Sequence, residues 1–401
     1  MRLREFKRAG HWPTLACAFV YFDTSFMVWT LMGALGIFIA QIFHLTPGQK
    51  GLLVAIPLLA AAVLRFVLGI ATDHFGPRKT GLAALTLTLV PLLWGWLHAI
   101  SESDLVIIGL MLGVPGASFA VALPLASRWY PPQFQGLALG IAGAGNSGTV
   151  VGALLAPRLA EVYGWRTVFG LAALPVTLVF LLFWLFAKES PNCPPAKSLK
   201  NYLKLLREPD TWWFNGFYMV TSGGFVGLAS FLPIFFFDQY GVTRVQAGSF
   251  AAACVFAGSL LRPFGGWLAD WFGGIRVLSF LFCGIAALLF GLSTLPTLPT
   301  AIALLFLTMA CLGTGNGSVF QLVPQRFAQE IGVATGVVGA AGGLGGFFLP
   351  TMLGWLRGLE GNYALGLLAF SLVAAGAAIA LSRVKHSWRA EWARPDLNVA
   401  F

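Results

Sequence analysis

Two arginines define the chemistry open to this chain. Arg65 lies in LRFVLGIATDHFGPRK (residues 64–79) and Arg262 in LRPFGGWLADWFGGIR (residues 261–276), and a constant offset of 197 lays one stretch on the other. The offset pairs Arg65 with Arg262, Gly69 with Gly266, Asp73 with Asp270, Phe75 with Phe272 and Gly76 with Gly273. Each arginine stands eight residues before its aspartate, about 12 Å of helical rise, and so well inside an apolar segment. A cation at that depth is expensive and marks a functional site by default. Its planar forked donors match a planar oxyanion, where a lysine would act as a point charge. No residue near either arginine in sequence neutralises it, so the pair calls for an anion that supplies the missing charge.

The elements that must hold these cations are apolar throughout. With 58% hydrophobic and 10% charged residues in 401, the chain lies outside the globular range, and a bilayer is its solvent. Twelve apolar runs of about 18 to 27 residues are each long enough to cross a hydrocarbon core of roughly 30 Å. They cover approximately 14–40, 48–72, 80–100, 104–128, 136–157, 166–187, 211–237, 245–270, 276–293, 299–323, 332–355 and 363–383. Three segments repeat at nearly one offset. Besides the arginine stretches, GVPGASFAVALP (113–124) matches GTGNGSVFQLVP (313–324), and GLALGIAGAG (136–145) matches GVATGVVGAA (332–341). The repeat predicts two pseudo-symmetric six-helix halves in parallel register, related by an axis along the membrane normal. Residues 1–187 form the first half, 188–210 a basic, proline-containing cytoplasmic linker with a short amphipathic segment, and 211–401 the second half with a disordered tail after Arg383.

A net charge of +10 could suggest nucleic acid, but its distribution points elsewhere. With both termini in the cytoplasm, eighteen Lys and Arg fall on that side and five on the other, with Arg65 and Arg262 in the membrane. This is the positive-inside bias of an inner, or plasma, membrane protein. The first run is too long for a signal peptide and has no small-residue cleavage pattern, so it reads as a retained helix. The five cysteines form no CxxC pair, and no metal or cofactor is expected. His11, His44, His74, His98 and His386 share no catalytic spacing with a cysteine or carboxylate, so an enzyme is not expected.

Asp23, in FDTSFMVW (22–29), is the acid deepest in a span. It reads either as a structural partner for an arginine or an exposed helix end, or as a protonatable coupling group. The run from Gly143 to Gly148 spells G-x-G-x-x-G, but no strand precedes it and it lies within a span, so a nucleotide loop is rejected. Asn316-Gly-Ser318 spells a glycosylation acceptor but lies inside the tenth span. Glycines at this density build helix packing surfaces and a groove where a small ligand can approach the backbone. In the seventh span, WFNGFYMVTSGGF (213–225) carries Tyr218, whose hydroxyl needs a partner in lipid.

The arrangement G-x-x-x-D-x-x-G-x-R-K, comprising Gly69, Asp73, Gly76, Arg78 and Lys79, resembles the loop 2–3 signature of the major facilitator superfamily, and Asp270 heads the weaker second copy. That resemblance implies the major facilitator fold and a gating role, with Asp73 capping a neighbouring helix and Arg78 pairing with acids when the cytoplasmic side closes. The Arg65 and Arg262 stretches, GLALGIAGAGNSG, GVVGAAGGLGGFFLP and GNGSVFQLVP are together similar to the nitrate/nitrite porters of that superfamily, over essentially the whole chain. The resemblance implies that Arg65 and Arg262 clamp the anion and that Asn146 and Tyr218 hydrogen-bond it or its arginines. It further implies that Phe119 is an apolar wall and that the glycines around Gly145 and Gly342 let two helices slide. Ser222 stands where some members carry a second aromatic wall, which leaves nitrate against nitrite preference open. The expected activity is alternating-access transport of nitrate, nitrite or both, by proton symport or by nitrate/nitrite exchange. The expected setting is a monomer in a lipid bilayer. The rivals are a carrier of another small anion, such as a carboxylate or organic phosphate, and a membrane nitrate sensor that moves nothing.

Overall fold

A computed structural model describes residues 3–190, 204–327 and 331–392. Among them every regular element is helical, as the bilayer requires of a spanning chain that must satisfy its backbone internally. Eleven helices are long and apolar enough to cross a membrane. The predicted first crossing differs: it is divided into three pieces, Trp12–Trp29, Leu31–Ala34 and Gly36–Ile42. The first break falls at Thr30, whose hydroxyl donates to the Phe26 carbonyl at 3.1 Å, a back-bond that bends helices. Beyond it the chain presses on helix Gly224–Tyr240. A Cβ on Gly33 would strike the Ser230 backbone, and one on Gly36 would lie 2.7 Å from Ile234 Cδ1.

The two arginine helices are built alike. Pro47–Phe75 and Arg244–Phe272 each have 29 residues. Thr46 caps the first in a reciprocal box with Gln49, and Thr243 caps the second with Gln246, which satisfies orphan amides at each start. Each ends on a glycine in the positive-φ region, Gly76 at 89° and Gly273 at 87°, which L residues rarely adopt. Their packing is equivalent too. A Cβ on Gly113 would lie 2.8 Å from the Ala61 amide nitrogen, and one on Gly313 would collide with Gly258, the residue 197 places after Ala61.

Helix Pro47–Phe75 packs most extensively on helix Ile331–Glu360. Along that seam Gly51 meets Pro350 and Gly354, Leu58 meets Gly346, and Ala62 meets Gly343. Gly248 makes the corresponding approach to Ala153 and Pro157, joining helix Arg244–Phe272 to helix Gly148–Tyr163. Small residues are what allow such backbones to approach.

Two spans predicted as continuous helices carry irregular turns. Residues 144–147 form a 3₁₀ turn between helices Pro132–Gly143 and Gly148–Tyr163, and residues 219–223 form a π turn between Pro209–Tyr218 and Gly224–Tyr240. Such turns rearrange side chains locally and mark functional segments. The end of the chain is also corrected: helix Ala364–Trp392 runs past Arg383, where a disordered tail was expected. It is held because Trp388 is buried, stacks on Phe214 at 5.0 Å and donates from Nε1 to Asp210 at 2.8 Å. Of the expected linker with its amphipathic segment, residues 191–203 lie outside the described residues. Asp210, expected as the last linker residue, belongs instead to the first turn of the next helix and pairs with Arg326.

Candidate functional site

Arg65 and Arg262 approach the same aromatic ring. Their guanidinium carbons lie 6.0 and 5.7 Å from the centroid of Phe119, close enough for the ring face to attract both cations. Arg65 is 6% exposed. It also lies over Trp29 at 5.5 Å, and Trp29 is itself fixed by a 2.9 Å bond from Nε1 to the Pro57 carbonyl. Its Nε donates to the Gly116 carbonyl at 3.4 Å and its Nη1 to the Gly339 carbonyl. The second bond joins the two sequence halves. Among the described residues, Arg65 meets no carboxylate and Arg262 has neither a hydrogen bond nor an ion pair.

Tyr218 is linked to the shared ring through Phe320. Phe119 lies 5.7 Å from Phe320, and Phe320 meets Tyr218 edge-on at 4.9 Å and 88°. Asn146 sits in the 3₁₀ turn, 2% exposed, with no partner for its Oδ1 among the described residues. Its backbone carbonyl receives Ser259 Oγ at 3.4 Å, one helical turn before Arg262. A Cβ on Gly342 would lie 2.8 Å from the Tyr218 ring and 2.9 Å from Ser222 Oγ, so the glycine lets its helix approach the site. Phe320 and Trp29 escaped the sequence reading. The available signals were the apolar neighbourhood of Phe320 in the repeat and the position of Trp29 in the Asp23 stretch.

Gly145 stands elsewhere. A Cβ there would lie 2.8 Å from Phe22 Cδ1 and 2.9 Å from the Asp23 amide, and a Cβ on Gly148 would strike the Asp23 carbonyl. This is a packing contact with the first helix rather than a contact with the arginines. Asp23 lies in the same contact. It receives Ser147 Oγ at 2.6 Å and the Gly148 amide, and so caps the helix that restarts after the 3₁₀ turn.

At the helix ends beyond Arg65 and Arg262, the gating residues pair differently from expectation. Asp73 receives Arg128 Nη2 at 2.7 Å. The helix cap comes from Glu189, whose Oε1 receives the Arg78 amide at 2.9 Å and the Lys79 amide at 3.3 Å. Glu189 packs over Gly76 so closely that a Cβ would lie 2.7 Å from its carboxyl carbon. Arg78 itself donates to the Trp184 carbonyl at 2.7 Å. Gly69 lies in the same helix, one turn before Asp73. In the second copy Asp270 receives Gln321 Nε2 at 2.9 Å, a neutral partner where the first copy has a charged one.

The opposite ends carry an ion-pair cluster that sequence reasoning did not find. Asp238 receives Lys50 Nζ at 2.8 Å, Arg357 Nη1 and the Tyr363 hydroxyl at 3.3 Å. Lys50 belongs to the first sequence half and Asp238 to the second, so this bond ties the halves. Arg244 reaches Glu161 at 3.4 Å, and Arg158 reaches Ser249 at 2.9 Å, two further ties at the same end. At the Asp73 end, the described ion pairs stay within one half: Arg128 with Asp73, and Arg326 with Asp210 and Glu208.

Multiple apolar crossings around a buried Arg65 and a half-buried Arg262 that share the Phe119 ring define a multi-pass membrane protein. The chain belongs to the Major Facilitator Superfamily, which it matches over residues 17–350. Its similarity to curated proteins extends along most of its length. It is 36% identical to the nitrite extrusion protein of Bacillus subtilis over 352 residues, 87% of this chain and 88% of that one. It is 35% identical to the probable nitrate/nitrite transporter NarK2 of Mycobacterium tuberculosis, covering 86% and 89%. With the probable nitrate transporter NarT of Staphylococcus haemolyticus it shares 32% over 92% and 95%. Among solved structures, it superposes with a TM-score of 0.68 on a bacterial homolog to the human lysosomal transporter Spinster, inward-facing and unoccupied. At 20% identity, with 93% of this chain and 97% of that one covered, this likeness concerns the fold alone. The family is one of transporters, not enzymes.

Proposed function

We propose that this chain is a secondary carrier that moves nitrate, nitrite or both across the cytoplasmic membrane by alternating access. The observation that carries the reading is the convergence of two guanidinium groups on Phe119 without a carboxylate for either among the described residues. The names of three relatives at 32 to 36% identity support the choice of anion. In this reading Arg65 and Arg262 hold the anion, Asn146 and Tyr218 complete its polar shell, and Phe119 and Phe320 exclude water. Aromatic walls at Phe119 and Phe320 and a glycine, Gly342, against Tyr218 offer few polar groups for a larger substrate, which favours a compact, flat ion over an organic phosphate.

Sidedness follows from the charge bias. Both termini lie in the cytoplasm, and the Lys50–Asp238 cluster lies on the outer side. Counting residues 12–42 as one crossing gives twelve, divided into two six-helix bundles, 1–187 and 211–401, with 188–210 between them. The unit is a monomer. Closing an empty site would bring two cations together at low dielectric. A bound anion removes that repulsion, and this difference in free energy drives occlusion.

Importing an anion against 100 mV costs about 2.3 kcal/mol, so uptake must be coupled. The bonds from Ser147 and Gly148 to Asp23 support a structural role for that residue, and hence exchange of nitrate for internal nitrite over proton symport through Asp23. Counterflow in proteoliposomes, with nitrate outside and nitrite inside, with and without a pH gradient, tests both forms of coupling. Arg65→Lys and Arg262→Lys should each lose uptake. A lysine replaces the two-pronged guanidinium contact with the anion by a point charge, and a charge-assisted bond contributes about 1.5–3 kcal/mol, so the loss should be about tenfold to a hundredfold. Near-normal uptake by either variant refutes the clamp. Stronger competition by formate or phosphate than by nitrite favours a different anion. Binding without flux favours a sensor.

A further inference from the structure

We infer that Asn316 is a positioning residue for Arg262: its side-chain amide oxygen takes the guanidinium when no anion is bound, as the Gly116 carbonyl takes Arg65. The inference rests on the anion-carrier reading and adds how that site is held when empty.

The starting point is an asymmetry. Arg65 has two backbone acceptors, Gly116 and Gly339, whereas Arg262 has only the face of Phe119 among the described residues. The repeat identifies the missing acceptor. Helix Leu298–Arg326 packs on the Arg262 helix as the Gly113–Pro124 region packs on the Arg65 helix, since Gly113 meets Ala61 and Gly313 meets Gly258. In the same register, Asn316 stands where Gly116 stands. A Cβ on the next residue, Gly317, would strike the Arg262 carbonyl and lie 2.7 Å from the Gly266 amide, so Asn316 lies beside the crossing of the two helices.

Asn316 is 1% exposed, and its Oδ1 has no partner among the described residues. A buried amide oxygen left unpaired is costly, whether it awaits a ligand or a moving side chain. Its face of the helix borders the site. Phe320, one turn further on, touches both Tyr218 and Phe119 at 4.9 and 5.7 Å. A neutral acceptor suits the task. It satisfies guanidinium donors during the return of the empty carrier without cancelling their charge, so an arriving anion still displaces it. A carboxylate in its place would compete with the substrate.

The test uses purified full-length protein, with nitrate affinity measured by calorimetry and flux measured in proteoliposomes. Asn316→Asp should raise the nitrate Kd about tenfold or more, since a charge-assisted bond to Arg262 must then be broken. Asn316→Leu removes the competitor and should lower Kd about two- to tenfold, the range of one neutral hydrogen bond, while slowing net uptake more than exchange. Asn316→Ser, a small hydroxyl acceptor, should recover net uptake, and it serves as the second variant should Leu fold poorly. Opposite shifts in Asp and Leu support the assignment, because a purely structural role moves both in one direction. Shifts of one sign in both variants, with wild-type binding intact, overturn Asn316 alone. A wild-type protein that binds no nitrate overturns the anion reading, and this inference with it.

Discussion

Asp238→Asn removes the acid that Lys50, Arg357 and Tyr363 share, and the effect should be conformational before it is chemical. The Lys50 bond exists only while the two halves touch at that end, so it stabilises the state closed there. Lys50 and Asp238 side chains are 19% and 7% exposed, enough burial for a charge-assisted bond to contribute about 2 kcal/mol. Replacing the carboxylate by an amide should shift the ratio of protein open to protein closed at that end by about thirtyfold. The change can be read as a distance between spin labels at Gly48→Cys and Gly358→Cys, in a background without the five native cysteines. A Cβ at either glycine meets nothing within 4 Å, so the labels perturb little. They flank the Gly51–Gly354 contact and should separate when it opens. Lys50→Gln should produce the same shift, and the double variant should add little to either, because the two substitutions remove one bond. Unchanged distances in both single variants would show that the cluster does not latch that end.

Two further outcomes test the Asp23 contact. Gly148→Ala should cost about 1–3 kcal/mol, the usual range for overpacking, because its Cβ meets the Asp23 carbonyl. Gly143→Ala, with nothing within 4 Å of its Cβ, should stay within about 0.5 kcal/mol, and thermal melts in detergent should separate the two. Asp23→Asn should lower the melting temperature, since a cap contributes about 1 kcal/mol, and leave nitrate-driven proton flux as it is in the parent. Transport that persists while proton flux disappears would assign Asp23 to coupling instead.

The legible part of this protein is what the repeat makes redundant. Arg65 and Arg262 can be read because each breaks a long apolar run, and because the same break recurs 197 residues later. The caps at Thr46 and Thr243 and the turns at Gly76 and Gly273 follow from local chemistry that any 29-residue helix of this kind needs. What the sequence could not disclose depends on contacts between distant residues. Asp73 was expected to cap a helix, yet Glu189 does so, because the chain after Phe186 folds back over Gly76. Asp238 looked like an ordinary acid at a helix end, and only the approach of Lys50 and Arg357 gives it its charge partners. Trp388 lies in a stretch too polar to read as a span, and its burial depends on Phe214 and Asp210 in another helix.

The two helical irregularities extend the same reasoning to the site. A regular 3.6-residue repeat would continue through residues 144–147 and 219–223, and nothing in hydrophobic periodicity marks the 3₁₀ and π turns found there. Both lie beside proposed ligand groups: Asn146 is within the first, and Tyr218 immediately precedes the second. Each turn rotates the chain that follows it relative to the chain before, so one side chain can face the arginines while its neighbours keep their packing. At Asn146 the arrangement is held from behind by Asp23, through Ser147 and the Gly148 amide. On the proposed reading, the deepest acid of the first span then supports the site, and the two guanidinium groups have no carboxylate among the described residues, which is the charge state an anion carrier needs. An acid close enough to neutralise Arg65 or Arg262 would have filled the role that the proposed substrate takes.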